Sequence, residues 1–142
     1  MSGGLLLDTV AVSELRKGPK GDPQFVAWRE SIDAVPVYIS VITVVEIRRG
    51  ILQVAKRDPA FAMRLETWYR DFLLPKFHHA ILPVDFVVAH RAAEIHTIRT
   101  YPDHDALIAA TALVHGLTLA TRNEADFAGT GVHVVNPWRA GA

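Results

Sequence analysis

The sequence predicts an α/β fold with a mainly parallel sheet covered by helices on both faces. Two observations carry this. Short apolar runs take turns along the chain with longer segments of helical period, the order that builds parallel sheets through crossover helices. The runs also lack polar alternation, as strands buried on both faces do. At 142 residues the chain suits one domain, residues 1–142, large enough to bury a core unaided by staples.

Five runs read as strands: Leu5–Leu7, Val35–Ile39, Ala80–Val84, Leu117–Ala120 and Val132–Val135. Five segments between them read as helices. Phe25–Ile32 and Val41–Val54 come first. Phe61–Leu74 carries an i, i+3, i+4 stripe of Phe61, Leu65, Trp68, Tyr69, Phe72 and Leu73. Val87–Ile98 and Asp105–His115 follow, the last stopped by Gly116 in the manner of a C-cap glycine. Upstream of it, Pro102-Asp103 gives a start signal with Asp103 as the expected N-cap. Residues 16–23, RKGPKGDP, read as a basic surface loop.

Composition narrows the chemistry. Fifteen Lys and Arg balance fifteen Asp and Glu, so any polyanion-binding surface must be local. There is no cysteine, which excludes disulfides, zinc-thiolate sites and a thiol nucleophile. The longest apolar stretch, VPVYISVITVV, is too short to cross a bilayer. These features predict a soluble cytoplasmic protein. The seven histidines give no HExxH pattern, and His90 with Glu94 reads as a helix-surface pair.

Four acids stand out by position. Asp8 ends the first strand, where α/β sheets place their functional crevice. Asp126 lies a few residues beyond the Leu117–Ala120 strand. Glu46 is the odd residue in the apolar ISVITVVEIRRGI, and Gly50 one turn on leaves room beside it. Asp105 falls in the first turn of an alanine-rich helix. Each has an ordinary explanation taken alone: an Asx turn, a helix-dipole partner, a solvated loop residue, or a Glu46–Arg49 pair. Taken together, four such carboxylates in one place would repel one another unless cations neutralised them. Hard divalent ions such as Mg²⁺ or Mn²⁺ take oxygen ligands and would do so.

The stretches LLLDT, SEL at 13–15, ISVITVVEIRRGI, DALIAATALVHGLTLATRNEADF and the terminal VVNPW together resemble a PIN-domain ribonuclease, more narrowly a VapC-type toxin of a toxin–antitoxin pair. The resemblance covers nearly the whole chain and is most specific from Asp105 to Phe127. It implies a three-layer α/β/α sandwich with a four- to five-stranded sheet. It maps the acidic positions, catalytic and metal-binding, onto Asp8, Glu46, Asp105 and Asp126. Thr121 and Asn123 fall where the family places groups that contact a ligand carboxylate or phosphate. Arg122, with Arg48, Arg49 and the RKGPK loop, supplies candidate phosphate contacts. One departure stands at Val10, where the family usually has asparagine.

The function implied is Mg²⁺- or Mn²⁺-dependent endoribonuclease activity on tRNA or rRNA loops, leaving 5′-phosphate and 3′-hydroxyl ends. A VapB-type antitoxin partner, a homodimer and higher-order toxin–antitoxin complexes are implied as well. A non-catalytic PIN domain within a DNA-binding regulatory complex is the alternative. An aspartate-nucleophile phosphatase fits poorly, because it needs a second aspartate where this chain has Val10.

Overall fold

The computed structural model describes residues 3–98, 100–139, 141 and 142. It contains a five-stranded, wholly parallel sheet in the order β3-β2-β1-β4-β5. The strands are β1 Leu5–Leu7, β2 Val37–Ser40, β3 Ile81–Leu82, β4 Thr118–Ala120 and β5 Val134–Val135. Each lies within or overlaps the run that predicts it, usually shorter at one end, as expected where apolar runs spill into the joints. Successive side chains of β1 point to opposite faces. Leu5 and Leu7 join one apolar core and Leu6 the other, so β1 is buried on both sides and needs no polar alternation.

The helices supply the outer layers. They are α1 Thr9–Leu15, α2 Pro23–Ser31, α3 Val41–Val54, α4 Pro59–Trp68, α5 Leu74–Lys76, α6 Phe86–His96 and α7 Asp103–His115. Phe25, Trp28, Ile47, Ile51, Leu73 and Phe77 pack with Leu5 and Leu7 on one face. Val88, Ile95, Ala106, Ala109 and Ala110 pack with Leu6 and Leu119 on the other. The alanines of α7 are fully buried, and their small side chains let that helix lie close to β1 and β4. This is the three-layer α/β/α arrangement.

Three local readings are corrected. Helix α1 is an addition, begun by Asp8, whose Oδ1 accepts the Ala11 N–H at 2.9 Å. The Phe61–Leu74 stripe is not one regular helix. It starts at Pro59 behind an Asp58 cap and widens into a π turn at Tyr69–Leu73, where the Leu74 N–H bonds to the Tyr69 carbonyl. Pro75 explains this, since its ring lacks an N–H and would clash with the carbonyl four residues back. The start of α7 is also shifted. Pro102 occupies the cap position and Asp103 is the first helical residue, with Asp105 in the first turn as expected. Gly116 has φ 65°, the left-handed conformation expected of a C-cap glycine.

The connectivity fixes where a site can be. From β1 the chain moves outward through β2 to β3, then returns to place β4 and β5 on the other side of β1. Neighbouring strands β1 and β4 thus send their following loops to opposite faces. The crevice at their carboxyl ends is the topological switch point, the usual ligand site of open α/β sheets.

Candidate active site

Asp8 and Thr121 are the residues immediately after β1 and β4, and both are buried. The register that pairs Leu7 with Ala120 sets them side by side. The Thr121 hydroxyl donates to Asp8 Oδ2 at 2.5 Å and accepts the Asn123 N–H at 3.0 Å. Asp8 is therefore a helix cap, a bond partner of Thr121 and a wall of the crevice at once.

A cleft of about 200 Å³ opens above this pair, lined by Asp8, Thr9, Val10, Glu46, Asp105, Asn123 and Asp126 with Ile108 and Phe127. Four carboxylates far apart along the chain thus reach one concavity. Asp8 comes from the end of β1, Glu46 from α3, Asp105 from the first turn of α7, and Asp126 from a 3-10 turn at Glu124–Phe127. Burial raises the Asp8 carboxyl above the ordinary aspartate value, and the Glu46 and Asp105 charges add to this. The Thr121 and Ala11 hydrogen bonds oppose it. Asp105 is raised too, by burial first and then by Asp126 and Glu46, with His104 pulling the other way. The cleft thus gathers acidic groups that oppose one another's ionisation.

Glu46 is held from two sides. Thr9 Oγ1 donates to its Oε1 at 2.5 Å, and the buried Thr43 hydroxyl lies 3.2 Å from Thr9 Oγ1. His104 Nδ1 stands 3.2 Å from Oε2. The Glu46–Arg49 pairing considered from the sequence does not form, because Thr9 and His104 take both oxygens. Around Gly50 nothing lies within 4 Å of where a Cβ would stand. Thr9, Thr43 and His104 were not legible as a set. From the sequence His104 reads first as an exposed helix-start residue and second as a neighbour of the site beside Asp105; its side chain is only 34% exposed and it meets Glu46. The available signals were Thr9 beside Asp8, Thr43 one turn before Glu46, and His104 beside Asp105.

The remaining candidates divide. Asn123 lines the cleft. Thr121 acts through Asp8. The Arg122 guanidinium is 5.4 Å from the Trp138 ring centroid, on the loop that carries Asn123. Arg48 is engaged by Glu66 at 2.6 Å and stacks on Tyr69. Val10, where asparagine is usual in the family it resembles, is 40% exposed and lines the cleft. It leaves both bonds to Asp8 in place. On α6, Glu94 pairs with Arg91 at 3.2 Å rather than with His90.

Carboxylate oxygens are the donors that Mg²⁺ and Mn²⁺ prefer, so the donor set fits such an ion chemically. Among the described residues, no group of three or more His, Asp or Glu side chains forms a ready-made metal cage.

An acid-lined switch point on a five-stranded parallel α/β/α sandwich defines the class: the PIN-domain model matches residues 5–131, and the chain belongs to that family. Within it, the chain is 39% identical to Toxin FitB of Neisseria gonorrhoeae, over 94% of this chain and 98% of that protein. It is 33% identical to VapC ribonuclease Y4jK of Sinorhizobium fredii, over 94% of this chain and 97% of that protein. Its fold superposes on the solved structure of FitAB bound to an IR36 DNA fragment with a TM-score of 0.84. There the identity is 34%, covering 97% of this chain and 98% of that one. No helix among the described residues is long and apolar enough to cross a membrane.

Proposed function

We propose that this chain is a single-domain, divalent-metal-dependent endoribonuclease, the toxin of a VapBC-type pair. It works in the cytoplasm as a homodimer with a VapB-type antitoxin that assembles with it into higher-order complexes. The observation that carries this reading is the meeting of Asp8, Glu46, Asp105 and Asp126 in one cleft at the switch point. The ribonuclease and toxin names of its relatives support it.

Asp8, Asp105 and Asp126 would hold Mg²⁺ or Mn²⁺, with Glu46 beside them. Such an ion, when bound, polarises a phosphoryl oxygen and makes water more acidic. Thr121 fixes the rotamer of Asp8. Thr9 and His104 fix Glu46, whose carboxylate orients the attacking water. Water adds to phosphorus, the bond to the 3′ oxygen breaks, and a 5′-phosphate and a 3′-hydroxyl remain. The RNA 2′-hydroxyl takes no part. Single-stranded loops, as in tRNA or rRNA, present the splayed backbone that an open cleft can reach. Asn123, which lines the cleft, would meet phosphate, and Arg122 would do so only by leaving the Trp138 ring.

Sequencing of 5′-phosphate ends after the purified chain meets total RNA tests this. Discrete new ends with 3′-hydroxyl partners are expected, and 2′,3′-cyclic phosphate products would sink the mechanism. A second reading, a non-catalytic domain in a DNA-binding regulatory complex, draws on the structural likeness to DNA-bound FitAB. It predicts equal growth inhibition by wild type and Asp8→Asn, whereas catalysis predicts that inhibition disappears with the carboxylate.

A further inference from the structure

The terminal NPW segment is a part of the sequence that the proposed reaction does not use. The β4–β5 register pairs Ala120 with Val135, and the Thr121 N–H continues the ladder to the Val135 carbonyl at 3.0 Å. Asn136 therefore emerges beside the start of the loop that carries Asn123 and Asp126 into the cleft. Its Nδ2 donates to Glu124 Oε2 at 3.0 Å and, at 3.4 Å, to the Arg122 carbonyl. Its Oδ1 accepts the Trp138 N–H at 2.9 Å, and its carbonyl accepts the Arg139 N–H at 3.1 Å. This is a β-turn with Pro137 at the position that fixes φ in advance. The turn delivers two further side chains to the same loop. Trp138, packed on Phe25 at 4.9 Å between ring centroids, receives the Arg122 guanidinium. Arg139 Nη2 reaches Glu124 Oε2 at 3.0 Å.

We propose that Asn136 is a positioning residue for the acid-bearing loop: the turn it nucleates straps residues 122–124, and so sets where Asn123 and Asp126 stand in the cleft. Four contacts from one four-residue turn converge on Arg122 and Glu124, the neighbours on either side of Asn123. Neither Asn136 nor Glu124 lines the cleft, so the effect runs through the loop. The consequence for catalysis rests on the nuclease reading above; the effect on loop order and cation affinity does not.

Asn136→Asp is the informative change. It keeps the acceptor for the Trp138 N–H but sets a carboxylate against Glu124. Glu124→Gln in that background restores a donor facing an acceptor. For Asn136→Asp, kcat on RNA is expected to fall about 10- to 100-fold with a much smaller change in KM, and Mn²⁺ affinity, read by electron paramagnetic resonance, to fall about 10-fold. Amide exchange over residues 121–127 is expected to quicken. The double variant is expected to recover kcat and Mn²⁺ affinity to within about threefold of wild type. Wild-type exchange and Mn²⁺ affinity in Asn136→Asp would overturn the proposal. So would a collapse in melting temperature that the second substitution does not repair. If wild type itself cleaves no RNA, the nuclease reading fails, and exchange and Mn²⁺ binding still decide the role of Asn136.

Discussion

Helix α1 has a buried carboxylate near each end, and the two are in opposite states. Asp8, 5% exposed, starts the helix; Glu14, 7% exposed, lies just before its last residue. Burial pushes both toward the neutral form. At Glu14 this is outweighed: the Asp22 N–H donates to Oε2 at 2.8 Å and Lys17 Nζ reaches Oε1 at 3.1 Å, and the carboxyl is held below its ordinary value. The packing there is tight, for a Cβ on Gly21 would come within 2.9 Å of Glu14 Oε2. Asp8 also accepts two hydrogen bonds, yet burial outweighs them and holds it raised, and the Glu46 and Asp105 charges it faces, in place of a cation, add to the rise. Burial does not distinguish a structural acid from a functional one. What does is whether donors and a cation outweigh burial, as at Glu14, or further acids add to it, as at Asp8.

The largest effect that sharpens this contrast is expected from Asp8→Asn. The amide oxygen can still cap α1, a contact worth about 1 kcal/mol, and the charge repelled by its neighbours is gone. RNA cleavage should fall at least about 100-fold, since removing a ligand should cost no less than removing its supporting shell. The melting temperature should change little, because relief of repulsion offsets the acceptor that the buried Thr121 hydroxyl loses. Glu14→Ala is the mirror case. The half-buried Asp22 N–H loses its acceptor, so stability in denaturant titration should drop by about 1 kcal/mol, with kcat unchanged. A loss of activity in the folded Glu14→Ala protein, or of stability in Asp8→Asn, would erase the contrast.

A smaller effect is expected in acid. Glu14 is held below its ordinary value of 4.5. It therefore contributes stability that is fully present above pH 4.5 and is lost as the pH falls through its lower folded value. The Glu14 contribution should vanish over that acid window, so wild type should lose stability relative to Glu14→Gln as the pH falls through it. Melting temperatures measured from pH 7 down to 3 would show it.

These contrasts also separate what the sequence made legible from what it did not. The five strands were legible because runs such as Leu5–Leu7 are apolar without alternation. The positions of Asp8 and Asp105 followed from strand end and helix start. Helix α1 was not legible: it has seven residues, and its apolar Val10 faces solvent while Ala11 and Val12 are buried, so no stripe spans enough turns to be read. The clamp on Glu46 could not be read either, since Thr9 and His104 are 37 and 58 residues from it and meet only through the packing of α1, α3 and α7. The same holds for Asn136, whose role comes from strand register.

The smallest effect tests whether the cleft stores unfavourable charge in a form that folding must bear. Asp105 accepts its burial beside Asp126 and Glu46, and its folded pKa lies above the ordinary 3.8. An acid with a raised folded value opposes folding once it ionises. The penalty is absent well below pH 3.8 and fully developed above the folded value. Asp105→Asn should therefore melt higher than wild type at pH 7 in chelator, by a degree or so, and no higher at pH 3. Half-exposure to solvent screens the charge and keeps the gain small. Millimolar Mg²⁺ should raise the wild-type melting temperature more than that of Asp105→Asn, because the ion neutralises a repulsion that the variant has already lost. Equal melting of the two proteins at pH 7, unmoved by Mg²⁺, would mean that the four carboxylates share a cleft without sharing a field. The contrast between the two ends of α1 would then reduce to burial and hydrogen bonding.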